Sequence, residues 1–263
     1  MKSGRTQIAE TVRMTLTWLE RRGTAKNRAG MARFGITARK AYGVSSATMA
    51  PLVKRLGRDH GVALALWDTG WLEARILASF VAEPARTTAT QMDRWCRDFD
   101  NWAVCDSTCM HLFSRTTLAW RKVEIWSRRR DEFVRRAGFA LLASLAVHDK
   151  AARDGRFLQV LPLIEATASD ERNFVRKAVN WALRQIGKRN LALNAAAVSV
   201  ARRLAAAPDA SSRWVGNDAL RELTREPTLR RLRHRATPRA RQPRASSSRS
   251  ADDTASGRSR GMK

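Results

Sequence analysis

The sequence predicts an all-α fold, and three observations carry that prediction. Pro and Gly are scarce, at 7 and 14 in 263 residues, whereas the helix-favouring residues Ala, Leu and Arg abound. Apolar residues recur at three- and four-residue intervals, with no convincing run of period-two alternation against them. Hydrophobic residues make up 44% of the chain, including nine Trp and eight Phe, which is enough to pack a core. The simplest division is one helical domain over residues 1–225 and a tail over 226–263.

In chain order, Ile8, Val12, Leu16 and Leu19 form the first helical stripe. The stretch SSATMAPLVKRLGRDHGVALALW, residues 45–67, follows with Ser and Thr as N-cap candidates ahead of further apolar spacing. Three later segments resemble one another: WLEARILASF from residue 71, FVRRAGFALL from 133 and FVRKAVNWAL from 174. Each has an apolar start, then a basic residue, then more apolar positions, and the shared basic residues are Arg75, Arg136 and Lys177. Their separations of 61 and 41 residues are irregular but fit stacked helical pairs of the HEAT kind. In such a stack the repeated basic positions would line the concave side as a stripe. From about residue 226, Arg, Ser and Pro displace large apolar residues, a composition expected of disordered chain.

Charge points to the partner. The chain holds 50 Lys and Arg against 24 Asp and Glu, a net of +26, which favours a polyanion, and nucleic acid above all. Residues 230–263 account for +9 of this, ten Arg and one Lys against two Asp, so the remainder is basic in its own right at +17. Three Cys form no disulfide framework, and the N-terminus lacks the apolar core of a signal peptide, so a reduced, cytoplasmic protein is expected. No apolar run approaches the ~20 residues that cross a bilayer.

Against this background DFDNWAVCDS, residues 98–107, keeps three carboxylates beside Trp102. Asp100 is the expected N-cap of a helix running from Asn101 through WAVCDSTCMHLF. On that helix Trp102, Cys105, Cys109, Met110, Leu112 and Phe113 define the apolar sector, and Asp106 falls inside it. A carboxylate there costs several kcal/mol unless paired or wetted, so Asp106 is either bonded to a buried Arg or placed for function. Cys105, Cys109 and His111 have helical spacing but no obvious fourth ligand, so the apolar stripe argues for buried thiols over zinc. The phosphate-loop, dinucleotide and nucleophile-elbow motifs are absent, which leaves ATP-driven and hydrolase chemistry of those types unsupported.

On the helix NFVRKAVNWALRQIGKRN, residues 173–190, Phe174, Val175, Ala178, Val179, Ala182, Leu183 and Ile186 share one half. Lys177, Arg184 and Lys188 gather on the other side. Trp181 lies between, either a residue at the edge of the core or an aromatic surface set among cations. Arg136 has the angular position of Lys177, which suits a phosphate contact or a solvated helix face equally.

The segments NWAVCDS, EFVRRAGFALL and NFVRKAVNWALRQIGKRN, in this order and spacing, resemble the AlkD-like DNA alkylation repair family over residues 5–225. The resemblance implies a HEAT-like solenoid with a basic concave groove for duplex DNA. It implies a lesion site of Trp102, Asp106, Arg136 and Trp181, with Arg136 on phosphate; Lys177, Arg184, Lys188 and Arg75 are the further DNA-binding positions expected from the basic stripe. The implied activity is metal-independent, monofunctional hydrolysis of the N-glycosidic bond of cationic alkylated bases, without cofactor, by a monomer. Two departures stand out: Asn101 precedes Trp102 where the family pattern pairs aromatics, and the Arg-rich tail is not a family feature. The rival reading is a non-catalytic binder of distorted or branched DNA, which needs the groove but not the carboxylate; an RNA-associated repeat protein is a third.

Overall fold

The computed structural model describes residues 2–236, and every regular element among them is helical. The N-terminal helices are α1 (Lys2–Glu20), α2 (Ala25–Arg33), α3 (Ser46–Leu56), α4 (His60–Asp68) and α5 (Leu72–Val81). Then come α6 (Ala89–Arg97), α7 (Trp102–His111), α8 (Ala119–Trp126), α9 (Glu132–His148) and α10 (Asp154–Thr167). The last are α11 (Asn173–Gly187), α12 (Leu191–Ala205), α13 (Ala210–Leu223) and α14 (Glu226–Ala236). Starts follow capping chemistry: Thr24, Ser45, Asp59, Thr88, Asn101, Asn190 and Asp209 each accept a bond from a first-turn backbone N–H. Residues 45–67 form two helices, α3 capped by Ser45 as expected and α4 capped by Asp59, separated where Gly57 takes φ +63°.

Successive odd-numbered helices pack side by side, α3 on α5, α5 on α7, α7 on α9, α9 on α11 and α11 on α13. A second layer backs them, with α4, α8, α10 and α12 lying against α5, α9, α11 and α13. The all-α class and the stacked pairs expected from the sequence are therefore present. Polar ties run along the first row. Ser79 and Ser107 share a hydroxyl bond of 3.0 Å, Arg136 Nη1 donates to the Phe174 carbonyl at 2.6 Å, and Asn180 Nδ2 donates to the Val215 carbonyl at 3.1 Å.

The core is aromatic at its centre. Trp67 and Trp95 stack at 3.9 Å, and Phe113 and Trp126 complete the cluster, all fully buried or nearly so. Buried indoles keep their N–H satisfied where acids reach them, Trp67 on Asp98 at 2.8 Å and Trp126 on Asp93 at 2.9 Å. Glu73 is fully buried and accepts from the backbone N–H groups of Tyr42, Gly43 and Val44, fastening the segment before α3 to α5. Gly138 lets α9 approach α8: a Cβ there would stand 2.5 Å from the Ser127 backbone nitrogen. Gly138→Ala is expected to lower stability by about 1–3 kcal/mol, the cost of overpacking against backbone, which thermal unfolding would record.

The helical part does not stop at residue 225. α14 turns Thr228 and Leu232 inward against α12 and α13, so residues 226–236 are packed helix where a disordered tail was expected. An Arg-rich composition concealed one apolar seam. The rest of the expected tail, 237–263, lies outside the described residues.

Between α10 and α11, Asp170 accepts from Arg135 at 2.8 Å and Arg172 at 2.6 Å. Burial pushes its carboxyl up, but these bonds outweigh burial and bring it down to about 2. A depressed carboxyl stabilises the fold above its unfolded value and ceases to as pH falls through its folded one. Acid unfolding should therefore show an Asp170 contribution lost between pH 3.8 and about 2, and Asp170→Asn should remove that segment of the curve.

Candidate functional site

The site grows from α7. Its N-cap is Asn101, whose Oδ1 accepts from Val104 N at 3.1 Å; the expected cap, Asp100, instead accepts from the Asn101 amide at 2.7 Å. The helix ends at His111, and Phe113 belongs to a separate 3-10 turn, Phe113–Arg115. Cys105 and Cys109 face α9, their thiols directed at the Phe133 and Ala137 carbonyls at 3.9 and 3.6 Å. The His111 ring stacks on Phe80 at 3.9 Å. All three residues of the discarded zinc reading thus have other occupations.

Asp106 is paired. Arg136 on α9 grips both carboxylate oxygens, Nε to Oδ1 at 3.0 Å and Nη2 to Oδ2 at 2.6 Å, while its Nη1 reaches the Phe174 carbonyl of α11. One guanidinium therefore ties three neighbouring helices. The side chains are 7% exposed for Arg136 and 18% for Asp106, so the carboxylate is the partner nearer solvent. Burial pushes the Asp106 carboxyl above its ordinary value, with the Arg136 charge and hydrogen bonds opposing it. Burial works downward on Arg136, but the Asp106 charge holds it above its ordinary value, so it stays a cation.

Aromatic residues surround the pair. Trp102 is half-buried one turn before Asp106, and its indole N–H donates to the Phe34 carbonyl at 2.8 Å. Phe174 lies against Phe133, ring centres 5.4 Å apart, and its ring edge fills the space beside Gly35. Trp181 follows Phe174 by seven residues, which puts it on the same face of α11 about 10 Å along. It is half-buried against the core, and its indole N–H reaches the Gln185 side-chain oxygen at 3.0 Å when that amide faces it.

The basic stripe expected from the sequence is largely spent within the fold. Arg75 donates to the Asp98 carbonyl at the end of α6 at 3.1 Å and lies over Trp67. Arg184 pairs with Asp218 and Glu222 of α13, and Lys188 with Glu222 at 2.6 Å. Arg136 belongs to Asp106. Of the five expected DNA-binding cations, Lys177 is the one exposed and without a partner among the described residues. The repeated basic positions serve in good part as ties within the helical rows. Sequence reasoning also missed Phe174, which helical spacing placed wholly in the apolar half, and Phe34, whose loop carries no periodic signal.

The family of DNA alkylation repair enzymes is matched over residues 15–223. The chain belongs to that family. Among solved structures, one is described as belonging to "a new family of proteins related to the HEAT-like repeat DNA glycosylases with affinity for branched DNA structures". It aligns at a TM-score of 0.66 and 21% identity over 72% of this chain and 81% of that chain, a likeness of fold. No curated protein matches the chain. Family membership and fold agree with the helical rows described above, so this alkylation repair family member is a HEAT-like repeat protein. No described helix is long and apolar enough to cross a membrane.

Proposed function

We propose that this family member is a DNA glycosylase that hydrolyses the N-glycosidic bond of positively charged alkylated bases, such as N3-alkyladenine and N7-alkylguanine, in duplex DNA. The observation that supports this reading is the Asp106 carboxylate, fixed on both oxygens by Arg136 and nearer solvent than its partner, with Trp102 beside it. Alkylation has already made the base a good leaving group. The remaining barrier is the positive charge that develops on the sugar as the bond lengthens, and a preoriented carboxylate stabilises that charge and positions the attacking water. Arg136 keeps the carboxylate oriented. Trp102 and Trp181 offer aromatic faces to the cationic nucleotide, a contribution of about 0.5–2 kcal/mol each. The scheme uses one protein monomer and invokes no metal or cofactor.

The test is incubation with alkylated duplex DNA, without added metal or nucleotide, scoring released bases and abasic sites together. Release of the cationic bases is expected; intact DNA after prolonged incubation with stoichiometric protein would end the proposal. Binding to unmodified duplex should weaken steeply with salt, each phosphate contact adding about 0.9 to the log–log slope. Lys177→Ala should reduce that slope by about one unit. Arg184→Ala should change it less, since Asp218 and Glu222 already balance that charge.

A second reading has an observation of its own. The Asp106–Arg136 pair fastens α7, α9 and α11, which is sufficient reason for a carboxylate in a non-catalytic binder of branched DNA. That reading expects tighter binding to a four-way junction than to duplex, and no base release from either.

A further inference from the structure

The turn after α2 is fastened by its backbone and free at its side chain. Phe34 N and Ile36 N both donate to the Met31 carbonyl at 3.0 Å, and Gly35 N donates to the Ala32 carbonyl at 2.9 Å. Gly35 adopts φ +73°, which suits glycine, and a Cβ there would come within 3.1 Å of the Phe174 ring. The Phe34 carbonyl holds the Trp102 indole. The two residues of this turn thus touch α7 and α11 at the edge of the Asp106–Arg136 pair, 68 residues or more away in sequence.

The Phe34 side chain takes no part in this docking. It is 73% exposed, more than any other exposed large hydrophobic residue among those described, although its backbone is among the more firmly tied in its loop. At that exposure the ring contributes nothing to the core, and its burial against a partner would be favourable. Lys26, Arg33 and Arg39, in α2 and the loop after it, are exposed and have no partner among the described residues. An apolar ring projecting from a cation-flanked turn has the chemistry of a side chain that enters a base stack while neighbouring charges hold the phosphates.

We propose that Phe34 is a stacking wedge. On duplex DNA its ring enters the base stack next to the nucleotide facing Asp106, unstacks one step and so bends the sugar–phosphate chain toward the carboxylate. The proposal rests on the reading of this face as the DNA-binding one, and not on base excision. Gly35 supplies the turn that aims the ring, and Trp102 anchors it from behind.

The test uses the full chain and a duplex carrying one tetrahydrofuran abasic analogue flanked by thymines. Bound wild-type protein should make one flanking thymine at least about fivefold more reactive to permanganate than in free DNA, since oxidation requires an unstacked ring. Phe34→Ala at saturating concentration should return that thymine to the free-DNA level with an unchanged melting temperature, and Phe34→Trp should restore the signal. Equal reactivity with wild type and Phe34→Ala, or no reactive thymine in a complex seen to be bound, would overturn the wedge. Excision of alkylated bases, measured separately, distinguishes the two proposals: a thymine signal without base release leaves the wedge and removes the glycosylase.

Discussion

Replacing Asp106 by Asn is expected to lower the single-turnover excision rate by a factor on the order of 10² to 10³, about 3–4 kcal/mol, by analogy with other preorganised stabilising groups. Asn keeps the size and one acceptor but not the charge that faces the developing sugar cation. Binding to unmodified DNA should hold steady or tighten, because a repulsion toward phosphate is lost and the Arg136 charge is uncovered. The variant will also be less stable, since Arg136 loses its bidentate partner, so excision must be measured well below the new melting temperature. Wild-type excision by folded Asp106→Asn protein would sink the mechanism. The wild-type rate should in turn fall on acidification at a higher pH than an ordinary Asp would dictate, because burial raises the Asp106 carboxyl and its protonated form cannot do this work.

The helical class was legible because local spacing reports it: 3.6-residue periodicity survives whatever the neighbours are. The repeat was only half legible, and Asp106 explains why. Residues 75, 106 and 136 are separated by 31 and 30 residues, so the interval of 61 between matching basic segments spans α7, whose corresponding position is acidic. A search for recurring cations passes over the one repeat that carries the carboxylate. The same dependence on partners hid the fate of the other cations. Helical geometry placed Arg184 and Lys188 on a polar face, but that they meet Glu222 depends on α13, 38 and 34 residues away in sequence. Phe34 and Glu73 were invisible for a related reason: one lies in a loop without period, and the other is buried by a segment that only the tertiary fold brings to it.

The Arg136 guanidinium decides whether the pair is scaffold, catalyst or both. Arg136→Gln would leave Asp106 buried without a counter-charge and weaken the tie to the Phe174 carbonyl, a loss of about 3–5 kcal/mol by precedent for broken buried pairs. In a chain of this size that lowers the melting temperature by roughly 10 °C. Excision should fall as well, because burial then pushes the Asp106 carboxyl up unopposed and the carboxylate is no longer held in place. Adding Asp106→Asn to Arg136→Gln removes the isolated charge and substitutes a neutral hydrogen-bonded pair, so most of the lost stability should return. Excision should not return with it. Recovery of both in the double variant would make the pair scaffold alone and place the chemistry of excision on other residues; recovery of stability without excision separates the fastening of α7, α9 and α11 from the chemistry of the carboxylate. If the double variant melts as low as Arg136→Gln, the bond from Arg136 to the Phe174 carbonyl of α11, and not its ion pair with Asp106 of α7, supplies the lost stability.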